Sequence, residues 1–253
     1  MFTNAIVRRP GRSLVNGITS ANLGIPDYKK AYAQHEAYIE ALKECDVNVT
    51  ILEPLEAFPD SVFVEDTAIL TEKCAILTNP GAQTRKGEEH SIYEALQQFY
   101  STIELIAAPG TIEGGDVMRV GDHFYVGLSS RTNNEGFSQF QNILKKYGYT
   151  ASPVFMKDFL HLKTGVSYLE NNKLLVAGEF VDNSVFESFN RIFIPETFIY
   201  SANSIWVNNR VLIPQGYSLT VENVQKEGYK TIEVDVSEFR KLDGGLSCLS
   251  LRF

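Results

Sequence analysis

Cys248 is the residue with the clearest chemical potential in this chain. It closes the run Asp243-Gly244-Gly245-Leu246-Ser247-Cys248 and precedes a short alternating stretch ending at Phe253. The paired glycines let the backbone turn tightly and come close to a ligand. In the strand expected to follow, Leu249 and Leu251 face one side and Ser250 and Arg252 the other. A lone cysteine is more often a buried structural thiol than a nucleophile. Its company decides otherwise. Three further stretches, Phe58 to Asp66, Ile112 to Asp116 and Leu160 to Thr164, bring Asp60, Glu65, Asp66, Glu113, Asp116 and His161 to matching places in the chain. Singly, each of these is a cap or a satisfied core group. Together they form a set with one chemistry. Cys248 is suited to nucleophilic attack, and His161 to general acid and base work. Carboxylates beside a thiol suppress its thiolate, so the set makes sense when a cation completes it. One histidine among scattered acids lacks the spacing of a zinc site. A guanidinium fits better, because it is planar, always charged and gripped by carboxylates in bidentate fashion.

These residues match because the chain repeats. Asp66, Asp116, Gly165 and Asn203 each start a run of four mostly apolar residues, three turn residues and a second strand opening at Cys74, Phe124, Lys173 and Val211. The starts are spaced 50, 49 and 38 residues apart, and Cys248 follows 45 after Asn203. Cys248 therefore opens a fifth unit whose second strand is missing. The run from Ala5 to Gly11 echoes that from Ala75 to Gly81, so the chain's first strand is expected to pair with its last. Helical spacing predicts helices over 27–45, 87–100 and 134–147, with weaker ones over 182–190 and 219–227. Extended runs follow at 47–52, 103–108, 153–159, 191–195 and 231–236. Five units of hairpin, helix and strand predict a single α/β domain over 1–253, closed into a propeller-like ring with few free sheet edges. In such a ring the segments before each first strand line one central opening, and loops held by a rigid scaffold are where function sits. Asp116 is expected to hold its hairpin. Cys45 and Cys74 read as core packing, and His35, His90 and His123 need no role.

The bulk figures agree. With 253 residues, 44% hydrophobic and 21% charged, the chain can bury a substantial core. A net charge of -8 argues against nucleic acid or an anionic membrane surface as partner and suits a cationic small molecule. Arg8, Arg9 and Pro10 stand where a signal peptide needs its apolar stretch, and no run approaches a membrane span. Three cysteines without a C-x-x-C pair predict free thiols in a reducing cytoplasm.

The runs FPDSVFVEDTAIL, APGTIEGGDVMRVGDHFYVG, SSRTN, LHLKTGVSYLENN, AGEF, WVN and DGGLSCLSLRF resemble the dimethylarginine dimethylaminohydrolase family, within the guanidine-modifying pentein superfamily. The resemblance covers essentially the whole chain. It implies a five-bladed α/β propeller of ββαβ units. It also implies hydrolysis of asymmetric dimethylarginine or monomethylarginine to citrulline and an amine, with no cofactor and no metal. It makes Cys248 the nucleophile, forming a covalent thiouronium, and His161 the proton donor to the leaving amine. Glu113 would bind the guanidinium and orient His161. Asp60, Glu65 and Asp66 match substrate-binding acids, and Arg85 and Arg131 match arginines expected to pair with an α-carboxylate. Leu242 would lend its carbonyl to the α-amino group. Ile18 would sit in a flexible flap between Gly17 and Gly24, where relatives carry leucine. Gly114 replaces an alanine of some bacterial members, a change without evident chemical weight.

The competing readings are another guanidine hydrolase, such as arginine deiminase, and a non-catalytic arginine-binding or thiol-sensing protein. Arginine deiminases carry an extra helical domain for which this chain has no room. The expected assembly is a monomer or homodimer.

Overall fold

Local signals start and stop the long helices where the spacing predicts them. Asp27 accepts a hydrogen bond from the Lys30 amide at 2.9 Å and opens the helix Tyr28–Glu44. Asn133 does the same for Gly136 at the head of Asn134–Lys146, and Gly148, with φ of +82°, ends that segment. These observations come from a computed structural model that describes all 253 residues. None of its helices is long and apolar enough to cross a membrane.

The strands form five three-stranded sheets of one pattern, a central strand paired antiparallel on one side and parallel on the other. The central strands Ala75–Leu77, His123–Leu128, Lys173–Val176 and Arg210–Pro214 each pair antiparallel with the strand before them and parallel with the strand after the next helix or turn. The remaining sheet joins the chain's two ends, as its echo of the others predicts. Asn4–Arg8 is central, with Ala5 opposite Arg252 and Ile6 opposite Leu251, and Asn48–Leu52 runs parallel on the other side. Five apolar clusters lie between sheets. Ile6 shares a cluster with Leu77, Ile76 with Phe124, Met118 with Leu174, Leu175 with Val211, and Leu212 with Ala5. Each sheet thus shares its core with two others, and the fifth shares with the first.

The structure corrects several boundaries. The region 87–100 is not one helix. Gly87 takes φ of +90°, Glu88–Ile92 is a 3₁₀ turn, and only Tyr93–Gln97 is α-helical. The Glu88 side chain turns inward to Arg85, so the first turn is drawn off the helical path. Over 182–190 only Ser184–Phe186 is helical, because Asn190 already pairs with Lys173 in the next strand. The strand expected at 153–159 is Thr150–Phe155, with Pro153 tolerated because it lies on an edge strand. Cys248 lies in a 3₁₀ turn, Ser247–Leu249, ahead of a strand of only two residues, Leu251–Arg252.

His35 has more consequence than its sequence position suggests. It is fully buried on the first helix, edge-on to Phe239 at 6.3 Å, and neither ring nitrogen has a hydrogen-bond partner. Burial pushes its pKa down to about 4, aided by Arg9. The folded protein therefore keeps His35 neutral while an unfolded chain protonates it near pH 6.5. The stability this site gives is complete above about 6.5 and is lost as pH falls towards 4, by up to about 3 kcal/mol. His35→Leu is expected to flatten the fall in melting temperature between pH 6.5 and 4. An acid-melting curve for His35→Leu parallel to that of the parent would contradict this.

Candidate active site

Seven stretches of chain meet at one cavity of about 150 Å³, lined among others by Ile18, Asp60, Asp66, Arg85, Glu113, Arg131, His161, Leu242 and Cys248. The stretch carrying Glu113 is built on glycines. A Cβ on Gly115 would come within 2.7 Å of His161 Nδ1, so the backbone lies directly against the imidazole. A Cβ on Gly114 would run into the carbonyl oxygen of Glu65. The glycine at 114 therefore carries structural weight here, a matter of packing apart from the chemical weight it was not expected to have.

His161 Nε2 is 2.8 Å from Glu113 Oε2, and both residues are buried. Burial alone would push the imidazole's pKa down. The carboxylates of Asp66, Asp116 and Glu113 outweigh it and hold His161 up at about 9. Asp116 holds its hairpin, as expected, and does more. It accepts from Ser129 and Thr132 hydroxyls at 2.6 Å and from the Leu162 amide at 3.1 Å, next to His161 in the chain. Burial raises its own pKa. The Cys248 thiol goes the other way from a reactive one. Burial first, then Glu65 and Asp66, push it up to about 12, against small help from the Gly245 amide 3.4 Å from Sγ and the Ser247 hydroxyl.

Asp66 joins several parts of the site. One oxygen accepts from the Gly115 amide at 2.8 Å and the other from Arg85 Nη1 at 2.6 Å. Its pKa is lowered because His161 and Arg85 outweigh burial. Arg85, expected to face a substrate carboxylate, is largely occupied. Nε and Nη2 make a bidentate pair with Glu88 at 2.8 and 2.7 Å, Nη2 also donates to the Phe63 carbonyl, and Nη1 to Asp66. Of its five N–H bonds, one on Nη1 remains. Arg131 is freer, its nearest acid being Glu113 at 3.7 Å.

Glu65 is the predicted site residue that does not line this cavity. It faces a larger one of about 640 Å³, with Lys163 and Arg252. Its Oε1 pairs with Lys163 at 2.5 Å, and its Oε2 is buried without a partner. Glu65 reaches Cys248 through its field, by raising the thiol's pKa.

Asp60 accepts from the Ile18 amide at 3.0 Å, which ties the segment expected to act as a flap to the site, and burial raises its pKa. On the far side Ser20 donates from both N and Oγ to Asp243, and Thr19 to the Lys241 carbonyl. Thr19, Ser20 and Glu88 were not legible as site residues. Thr19 and Ser20 dock more than 200 residues away, on a turn where Asp243 takes φ of +58° before two glycines, and Glu88 lies in a stretch read as helix, where its inward turn to Arg85 three residues away does not show.

Asp66, Glu113 and His161, expected to converge although the chain lacks zinc-site spacing, bring three donor atoms within 4.8 Å of one another. These atoms are already engaged with Arg85, Gly115, Ala82 and one another. A metal would have to compete with the Arg85 guanidinium and break the Glu113–His161 bond, whereas a planar N–H donor can add to the carboxylates' remaining lone pairs.

The family model described as N,N dimethylarginine dimethylhydrolase, eukaryotic, matches residues 26–182. The chain is 57% identical to N(G),N(G)-dimethylarginine dimethylaminohydrolase of Pseudomonas aeruginosa, with 100% of both chains covered. To the protein of that name from Streptomyces coelicolor it is 33% identical, over 98% of this chain and 96% of the other. The solved structure of a cysteine-to-serine variant of the Pseudomonas aeruginosa protein, complexed with citrulline, matches with a TM-score of 0.99 at 57% identity over 100% of both chains. The N-terminal domain of ArgZ, an arginine dihydrolase from cyanobacteria, matches at 0.89 with 20% identity over 100% of this chain and 97% of that one, a likeness of fold.

Gly114→Ala is the direct test of how tightly these stretches meet. Overpacking of this kind costs about 1–3 kcal/mol. A clear drop in melting temperature is expected, and an unchanged one would show that the Glu65 backbone yields freely.

Proposed function

The chain belongs to the dimethylarginine dimethylaminohydrolase family, and on that premise we propose how its site residues hydrolyse N-omega-methylated arginine to citrulline and dimethylamine or methylamine. The observation that carries the reading is one cavity holding a thiol pushed up to about 12, an imidazole held up at about 9 and the carboxylates between them. Such a site lacks one positive charge, and the substrate guanidinium supplies it. Glu113 and Asp66 grip the guanidinium N–H groups in bidentate fashion. Asp60 holds the flap through Ile18 as it faces the substrate, and Leu242 turns its carbonyl to the α-amino group. Arg131, with the last free N–H of Arg85, takes the α-carboxylate. Glu65 acts at a distance, as part of the negative field that suppresses the resting thiolate.

The chemistry then balances without a further reagent. The guanidinium charge lowers the Cys248 pKa, the thiol proton passes to solvent, and the sulfur attacks the guanidinium carbon. His161, charged at neutral pH, protonates the departing nitrogen as the C–N bond breaks, because an amine leaves poorly as an anion. This leaves a thiouronium on Cys248 and a neutral imidazole. His161 takes a proton from water as the water oxygen adds to the same carbon, the new hydroxyl's proton passes to the sulfur as the C–S bond breaks, and citrulline leaves with His161 charged and the Cys248 thiol restored.

The same reading takes the five sheets as blades of a closed five-bladed α/β propeller, one catalytic domain over 1–253. Supporting it are the cores shared between successive sheets, and between the fifth and the first, and the pairing of the chain ends. A cytoplasmic place accords with the free thiols of Cys45, Cys74 and Cys248. One chain supplies Cys248, His161, Glu113 and Asp66 to the cavity, and a monomer or a homodimer serves the mechanism alike.

The trapping experiment pairs two variants. Cys248→Ser is expected to bind methylarginine without turning it over, since no base adjoins the hydroxyl. His161→Gly is expected to slow turnover by about 10² to 10⁴. Appreciable citrulline from Cys248→Ser would sink the covalent route, and less than a tenfold loss in His161→Gly would assign the acid elsewhere.

A further inference from the structure

The reactive stretches are held by a contact that repeats with the fold. Asp66, Asp116 and Asn203 occupy the same place, at the start of a hairpin, in the first, second and fourth units. Each reaches into the following unit and accepts a backbone N–H beside a reactive group. Asp66 Oδ1 takes the Gly115 amide at 2.8 Å, two residues after Glu113. Asp116 Oδ1 takes the Leu162 amide at 3.1 Å, next to His161. Asn203 Oδ1 takes the Ser247 amide at 2.9 Å, next to Cys248. The third unit starts with Gly165, which has no side chain to reach with, and the stretch before Asn203 that it faces carries none of the reactive groups. The contact is thus present wherever a reactive group needs holding.

We propose that Asn203 is a positioning residue for the reaction, the copy of this repeated clasp that fixes the nucleophile's turn. The proposal rests on the reading of Cys248 as nucleophile given above. Asn203 is buried, and Nδ2 donates to the Lys163 carbonyl and to Ser247 Oγ, both at 3.0 Å. Its amide therefore ties three points together: the Ser247 backbone, the Ser247 hydroxyl, and the residue that pairs with Glu65. The turn is built against it. A Cβ on Gly245 would lie 2.5 Å from the Asn203 amide carbon, and the Gly245 amide is the N–H that faces Cys248 Sγ. The clasp thus sets both where the sulfur sits and the one backbone donor that steadies its anion. An amide suits this position better than the aspartates of the other copies. A third carboxylate beside Glu65 and Asp66 would deepen the field against the thiolate, whereas aspartate beside His161 favours its charged form. The repeat therefore carries an acid where a cation is to be kept and a neutral group where an anion must form.

The test uses Asn203→Ala, Asn203→Asp and Cys248→Ser in the full chain, with kcat, KM, melting temperature and the pH dependence of Cys248 alkylation by iodoacetamide. Misplacing a reacting atom by about 1 Å costs up to about a hundredfold. Asn203→Ala is expected to lower kcat by about tenfold to a hundredfold with KM within about threefold, because Glu113, Asp66 and Arg131 are untouched. Asn203→Asp keeps the acceptor for the Ser247 amide, so it is expected to fold even where the alanine variant does not. Its alkylation profile is expected to move to higher pH by about one unit through the added charge. An inactive Cys248→Ser together with parental kcat and an unmoved profile in the Asn203 variants overturns the clasp and leaves the nucleophile standing. Turnover by Cys248→Ser overturns the clasp through the nucleophile itself.

Discussion

A thiol buried among carboxylates is the constraint on which the rest of this structure depends. Burial, Glu65 and Asp66 all disfavour charge on Cys248, and the Gly245 amide and Ser247 hydroxyl oppose them without prevailing. The same negative field does the opposite to His161, whose charged form it protects through Asp66, Asp116 and Glu113. One arrangement therefore keeps the imidazole charged and the thiol protonated. A guanidinium about 4 Å from the sulfur, at an effective dielectric near 20, contributes on the order of 4 kcal/mol, or roughly three pKa units. That is comparable to what the site imposes on the thiol, so recognition of the cation and activation of the sulfur become one event. A neutral product lacks the charge, and the thiol is disarmed again as it forms.

The fold serves this field by holding short segments rigidly. None of the reactive residues lies inside a long helix or a sheet. Glu113, His161 and Cys248 each sit at or next to a one-turn helical element just ahead of a first strand. Such turns have little stability of their own. They are held by contacts from a neighbouring unit and by cores that span two sheets at a time. Residues 18–20 are tied through Asp60 on one side and Asp243 on the other, both of which line the cavity.

The architecture was legible because it repeats. Self-similarity at about 50 residues marked every hairpin start and led to the pairing of Asn4–Arg8 with Leu251–Arg252. Long helices with clear caps, at Asp27 and Asn133, were found to within a residue or two. What failed was short and decided by tertiary contact. The helix expected over 87–100 breaks because Glu88 turns inward to Arg85, a choice that periodicity cannot express. The site residues were legible through repeat position and resemblance together, but their partners were not. Nothing in sequence spacing says that Arg85 is nearly saturated by Glu88, Asp66 and Phe63, or that Glu65 turns to Lys163 and Arg252 in the larger cavity. Gly114 is similar: its need for no side chain appears only once the Glu65 backbone lies against it.

The central claim is that the substrate's charge creates the nucleophile. Thiolate absorbance near the ultraviolet edge, followed against pH with and without a non-reactive amidinium or guanidinium ligand, tests it most directly. The empty protein is expected to hold Cys248 as thiol throughout the neutral range. The cationic ligand is expected to move its titration down by more than one unit, and citrulline, which is neutral at that end, to leave it in place. A thiolate already formed at neutral pH in the empty protein, unmoved by the cation, would contradict the account and make charged His161 the sulfur's resting partner.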